Sequence, residues 1–263
     1  MDSQFFLLIA LVLFSGLFLA AVFIRPEPGR SGYLWFRIGL FLAVIILSLG
    51  IGLCSFESGH LPLTNLYESL LIFAWFLSLT PLAFKKLPVS LVRFALLLAV
   101  AALLSASFLP QRFTVPAPLL PALKSHWLAF HVLTCFSAYS AFAVAFGSAL
   151  LYLVPSFRGS LSLETLETIT TTAISLGFPL LTIGIVTGAV WANQAWGTYW
   201  SWDPKETWSL ITWLIYAAFL HARFARGFRG RRSALLAVFG FISVVFTYLG
   251  VNLILSGLHS YAS

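Results

Sequence analysis

The sequence predicts an all-α fold, a polytopic membrane helical bundle of about eight transmembrane helices with both termini outside. Three observations carry that expectation. Hydrophobic residues make up 60% of the 263 positions and charged residues only 9%, whereas a soluble domain carries roughly 25% charged residues. The apolar residues gather into runs of about 20, the length that crosses a bilayer. The basic residues fall in short connections between those runs, mostly on alternate ones. A single integral membrane domain, residues 1–263, uses the whole length.

The runs lie at about 4–24, 33–54, 66–84, 89–110, 127–154, 172–193, 207–223 and 234–256. The first reads as a true span: Met1-Asp2-Ser3-Gln4 has no basic n-region, and no small-residue cleavage site precedes Arg25. Before the third, Thr64 or Asn65 is placed to cap, with Glu68 in the first turn, where the helix dipole favours an acid. After the fourth, Pro110, Pro116, Pro118 and Pro121 predict an extended segment. After the fifth, the polar stretch 160–172, with Glu164 and Glu167, predicts a short amphipathic helix separate from the sixth span. Within that span, Gly184 and Gly188 are four apart and permit close helix packing. The seventh opens on Asp203-Pro204-x-Glu206, with Asp as N-cap, Pro first and Glu third.

Orientation follows from Lys and Arg. Arg25, Arg30, Arg37, Lys85, Lys86, Arg93, Arg158, Arg223, Arg226, Arg229, Arg231 and Arg232 fall on one set of connections, and only Arg112, Lys124 and Lys205 on the other. The positive-inside bias then puts both termini outside, together with His60, the segment before the fifth span, and His259. The net charge of +7 therefore reports topology, and no nucleic-acid partner is expected. Cys54 and Cys135 are isolated, so there is no dithiol motif and no C-x-x-C-H for haem attachment to this chain. No nucleophile–base pair, phosphate-binding loop or metalloprotease helix is present to support hydrolysis or ATP use.

The densest feature is Trp196-Gly-Thr-Tyr-Trp-Ser-Trp-Asp-Pro-Lys-Glu-Thr-Trp208, which falls between the sixth and seventh spans, on the outside. An interfacial aromatic belt accounts for some of these rings. It does not account for their density or for Asp203, Lys205 and Glu206 among them. Trp196, Tyr199, Trp200 and Trp202 suit the face or edge of a flat, partly apolar ligand such as haem, while Lys205 and indole N–H groups are donors for its propionates.

His131, near the outer end of the fifth span, and His259, just past the eighth, sit at the level of this stretch. Either alone is served by hydrogen bonding to interfacial water. The pair with the aromatic loop favours axial ligation of haem iron. His126, about 140° around the helix from His131, is not a second ligand to the same metal. His221 lies roughly 20 Å below the outer end of the seventh span, given a rise of 1.5 Å per residue. It is either an inner-interface residue beside arginines or a ligand to a deeper haem, and no equally placed histidine exists elsewhere in the chain. Capping by its neighbours accounts for the loop around His60.

Together with Ser125-His-Trp-Leu-Ala-Phe-His-Val132, Ser58-Gly-His-Leu-Pro-Leu-Thr-Asn-Leu-Tyr-Glu-Ser69 and Asn252-Leu-Ile-Leu-Ser-Gly-Leu-His-Ser-Tyr261, the tryptophan-rich stretch resembles the CcsA (ResC) family of system II cytochrome c maturation. That family lies in the wider "WWD" haem-handling group, which includes CcmC and CcmF. The resemblance runs from about residue 58 to the end, with the WWD region at about 125–263; nothing in residues 1–50 contributes to it.

It implies that His131 and His259 are external axial ligands to haem b carried as cargo, with Trp196, Tyr199, Trp200, Trp202 and Asp203 at the same site. It implies that His221 ligates a membrane-embedded haem with a histidine from a separate CcsB (ResB)-type membrane subunit. The resemblance also implies that haem moves outward and is held reduced for thioether attachment to the C-x-x-C-H thiols of apocytochrome c, within a holocytochrome c synthase (haem lyase) complex. The expected location is a bacterial inner (plasma) membrane or a thylakoid membrane, in contact with lipid. Two other classes fit parts of the pattern: a haem-b electron-transfer subunit of a quinone-linked complex, and a transporter of small organic anions gated by the aromatic loop.

Overall fold

The structure, a computed structural model, describes residues 3–24, 31–84, 87–110 and 121–255. The chain divides into two compact units, Met1–Pro118 and Leu119–Ser263. Eight long helices account for both, and no strand occurs among the described residues.

The first unit holds α1 (Ser3–Phe23), α2 (Ser31–Ser58), α3 (Leu66–Ala83) and α4 (Val89–Ser107). Helix α1 packs on α2 and α4, and α3 on α4 and α2. Asn65 caps α3 by accepting from the Glu68 N–H at 2.8 Å, and the Glu68 carboxylate returns to the Thr64 N–H at 2.8 Å. Arg93 Nε donates to the Ala21 carbonyl at 2.7 Å, and Trp75 Nε1 to Ser48 Oγ at 2.8 Å. The outward faces are apolar, with Val12, Phe23, Trp35 and Phe56 exposed, as suits helices surrounded by lipid rather than water.

The second unit holds α5 (His126–Leu153), α6 (Leu163–Trp196), α7 (Pro204–Arg226) and α8 (Arg231–Ile254). The long α5–α6 pair forms its spine; α8 packs against α5, and α7 against α6 and α8. Two rings lock all four helices together. Phe142 of α5 stacks on Tyr216 of α7 with centroids 3.7 Å apart and planes 12° from parallel. Glycines on the other two helices make the room: a Cβ on Gly177 of α6 would lie 2.6 Å from the Phe142 ring, and one on Gly240 of α8 2.7 Å from the Tyr216 ring. Beside this stack, Thr212 Oγ1 of α7 lies 2.7 Å from Ser243 Oγ and 3.2 Å from Thr247 Oγ1 of α8. This buried hydroxyl cluster joins two helices whose polar atoms have no water to turn to.

Two expectations change. The stretch 160–172 does not form a separate amphipathic helix; from Leu163 on it is the first turns of α6, continuous for 34 residues and about 51 Å at 1.5 Å per residue. Tertiary contacts keep the helix going: Leu166 and Thr170 are buried, and Ser148 Oγ of α5 donates to the Leu166 carbonyl at 2.8 Å. Seven of the eight long helices are long and apolar enough to cross a membrane. The other, α7, has the length at 23 residues but carries Lys205, Glu206, His221, Arg223 and Arg226, which lower its apolarity. Residues Arg25, Arg30, Lys85, Lys86, Arg112, Pro116 and Pro118, which entered the topology and loop expectations, lie outside the described residues.

Candidate functional site

His131 sits on the face of α5 that meets Gly184, Gly188 and Trp191 of α6. Its Nδ1 lies 2.7 Å from the Gly184 carbonyl oxygen. A carbonyl can only accept, so Nδ1 carries the proton and, in the neutral ring, Nε2 carries the lone pair. The Cys135 sulfur lies 3.7 Å from the same Nδ1. Trp191 stacks on the imidazole, 17° from parallel at 6.4 Å, and its Nε1 donates to the Ala122 carbonyl at 2.8 Å. That bond ties the 3₁₀ turn Pro121–Leu123 to α6, as does Ser125 Oγ on Gln194 Oε1 at 2.9 Å. Trp196 meets Trp191 edge-on at 4.9 Å. His131, Trp191 and Trp196 thus form a continuous row of rings.

Helix α6 ends at Gly197, whose φ of +81 lets its N–H reach back to the Asn193 carbonyl at 3.0 Å. Six residues later α7 starts with the expected capping box: Asp203 Oδ1 accepts from the Lys205 N–H at 3.0 Å, and Glu206 accepts from the Asp203 N–H at 3.2 Å. The same Glu206 carboxylate accepts from the Ser201 N–H at 2.7 Å. It therefore grips both neighbours of Trp202. Trp202 answers with a φ of 60, the left-handed region that non-glycine residues seldom enter. Its ring is turned outward, 69% exposed, edge-on to Trp200 at 5.8 Å. Tyr199 is 60% exposed beside them. A helix cap thus serves a second purpose, holding an aromatic ring away from the protein.

The predicted site residues are distributed unevenly. His131 and Trp196 join one row of rings; Trp200 and Trp202 form a second pair, and Tyr199, just before Trp200, stands exposed. Asp203 is buried and caps α7. Lys205, read from sequence as an exposed donor, instead reaches Asn252 Oδ1 of α8 at 3.0 Å, and Asn252 Nδ2 in turn donates to the Tyr248 carbonyl at 2.6 Å. His259 lies outside the described residues. His126 is exposed and His60 half-buried, the latter with Nδ1 against its neighbour's carbonyl at 2.9 Å. Trp191, Gly184 and Gly188 were missed as site residues. A tryptophan inside an apolar run looks like packing, and the glycine pair read as generic helix contact because the sequence does not say which side chain fills the gap.

His221 lies far along α7 on an exposed stripe with Leu214, Ala218 and Phe224. Just beyond it, Arg223 pairs with Glu167 of α6 at 3.1 Å, and the same carboxylate accepts from the Gly230 N–H at 2.6 Å. Glu167 therefore pins the C-terminal end of α7 and the start of α8 to α6. Tyr152, Glu167, Thr170, Gly230, Ser233 and Ala234 surround a water-sized cavity of about 10 Å³ there.

Residues 63–259 match the family model described as cytochrome c assembly protein. The chain belongs to that family. It is 43% identical over 250 residues to the cytochrome c biogenesis protein CcsA of Guillardia theta, covering 84% of this chain and 83% of that protein. Its identity to the CcsA protein of Synechococcus elongatus is 41% over 278 residues, covering 85% and 86%. Among solved structures, a cytochrome c haem lyase CcmF superposes with a TM-score of 0.63 at 21% identity, over 95% of this chain. The chain spans about half of that structure's length, 49%; the likeness shows a shared fold. Haem therefore belongs to this chain's business as a member of a cytochrome c assembly family. The residues fit it: an imidazole whose Nδ1 meets a carbonyl, leaving the lone pair on Nε2, and exposed flat rings on the neighbouring loop.

Proposed function

We propose that this chain carries haem b to an outward-facing site, holds it between His131 and His259, and presents it for thioether attachment to apocytochrome c. The observation that carries this reading is the contact of His131 Nδ1 with the Gly184 carbonyl beside an aromatic loop, in a chain of the cytochrome c assembly family. Bis-histidine ligation would stabilise and orient the iron. The exposed rings of Tyr199 and Trp202, with Trp196 and Trp200 behind them, would cover the porphyrin, and Asp203 would hold the loop in shape. Fixing the haem vinyls toward incoming C-x-x-C-H thiols converts a chance encounter into a local one.

The chain works as one integral domain in this proposal, with both termini and the WWD loop outside, an orientation the Lys and Arg distribution supports. His221, on its exposed stripe, is the ligand of a second haem whose opposite histidine comes from a CcsB-type partner of system II. The apocytochrome's own histidine then displaces an external ligand and releases the product.

The test is co-expression of the chain with the partner subunit, followed by haem quantitation and spectra. His131→Ala and His259→Ala should each remove the outer-site low-spin haem signal and stop holocytochrome c formation. An intact Soret band and normal cytochrome c assembly in both variants would end this reading.

A further inference from the structure

The pair Gly184 and Gly188 does something more specific than let two helices touch. Four residues apart, they lie on one face of α6, and the side chains that fill the gap are His131 and Cys135 of α5. A Cβ on Gly188 would lie 2.5 Å from His131 Nδ1 and 2.8 Å from its Cε1. Even alanine would evict the ring, since the contacts are to a stiff imidazole set between helices and not to the end of a flexible chain. A Cβ on Gly184 would lie 2.6 Å from Cys135 Sγ and 3.2 Å from Thr134 Oγ1. Its absence lets α5 approach closely enough for the Gly184 carbonyl to take the Nδ1–H at 2.7 Å. Trp191, three residues past Gly188, stacks on the ring and is itself held through Nε1.

We propose that Gly184 and Gly188 are positioning residues for His131: they form a seat that fixes both the plane of the ring and its tautomer, so that Nε2 is the nitrogen presented to iron. The seat rests on the reading of His131 as a haem ligand, and deepens it. Metal-ligating histidines commonly donate their other ring N–H to a backbone carbonyl, which sets the tautomer and raises ligand basicity. Here that carbonyl is supplied by a helix already bonded along its own ladder. The Thr187 hydroxyl, which donates to the Ile183 carbonyl at 2.8 Å, shares its proton with the same oxygen at 3.1 Å. Ordinary helix packing would require only small residues at 184 and 188. The seat requires in addition that the knob be an imidazole with its donor on the carbonyl.

The experiment uses the chain in complex with its partner subunit and has two readouts. In the haem-free complex, ¹⁵N chemical shifts of labelled histidine, assigned against His131→Ala, report which nitrogen of His131 is protonated. In the haem-loaded complex, absorption spectra report low-spin haem at the outer site with and without added imidazole. We expect wild-type His131 to be protonated on Nδ1. Gly188→Ala should lose that tautomer and about 10–100-fold in haem retention at the outer site, with imidazole restoring the low-spin spectrum because it needs no seat. Gly184→Ala should show a milder loss that Cys135→Ala relieves in the double variant, since it removes the 2.6 Å contact.

Unchanged tautomer and spectrum in Gly188→Ala would overturn the seat, as would a haem loss that imidazole leaves uncorrected. Should Gly188→Ala fail to accumulate in the membrane, the Gly184→Ala and Cys135→Ala pair decides: absence of mutual relief sinks the proposal. A full haem signal in His131→Ala would instead defeat the ligand reading, while the tautomer measurement would still stand for the seat by itself.

Discussion

His131 and His221 occupy two regions of the second unit and are treated in opposite ways. The first is enclosed by its own chain: a carbonyl on Nδ1, a glycine where any side chain would collide, and a tryptophan across its face. The second stands on an exposed stripe of α7, and among the described residues no hydrogen bond reaches it. Histidine in a membrane helix is costly unless something compensates for it. For His131 the compensation is built in, whereas His221 has no such contact among the described residues. Under the proposed function, the contrast separates a ligand prepared by folding from one completed by assembly.

The largest expected effect breaks or keeps this contrast directly. His131→Ala should lower outer-site haem to background whether or not the partner subunit is present, with holocytochrome c falling below detection. His221→Ala should alter haem content only when the partner is co-purified. Haem quantitation on the chain alone and on the complex checks both, and a His221 effect in the isolated chain would erase the distinction. Next in size is the ring stack that all four helices of this unit share. Phe142→Ala should cost about 3–5 kcal/mol, the range for deleting a large buried aromatic ring, read as a lowered unfolding midpoint in detergent, and it should weaken both histidine regions together.

Smaller effects sharpen the comparison. Glu167→Gln weakens the grip on Arg223 and the Gly230 N–H and should cost about 1–3 kcal/mol, as for a hydrogen bond to a charged group. It should disturb haem bound through His221 while leaving the His131 tautomer unchanged by ¹⁵N shift. The smallest is Tyr216→Phe. The Tyr216 hydroxyl is buried and meets no hydrogen-bond partner among the described residues, so its removal should be neutral or raise stability by up to about 1 kcal/mol in the same unfolding assay.

Much of this architecture was legible in the sequence, because a bilayer enforces simple rules. Apolar runs of sufficient length marked seven helices, and the polar starts of α3 and α7 named their own caps. Legibility failed where tertiary contact overruled composition. Residues 163–171 look like a surface segment, yet Ser148 and the buried faces of Leu166 and Thr170 carry α6 straight through them. Lys205 looks like a free cation for an acidic ligand, yet Asn252, 47 positions later, takes its ammonium. The His131 seat failed to appear for a related reason: a glycine announces space but not its occupant.

Helix α8 contains one wide turn, Phe246–Gly250, in which the Val251 N–H bonds to the Phe246 carbonyl five residues back. Such a turn stores one surplus residue without redirecting the rest of the helix. The helix therefore responds unequally to shortening. Deleting one residue inside 246–250 should convert the wide turn to regular winding and leave Asn252 facing Lys205. The same deletion at Val238 should rotate the helix beyond it by about 100° and part Asn252 from Lys205. Among the described residues of α8, this turn is where the chain can lose length without losing its aim.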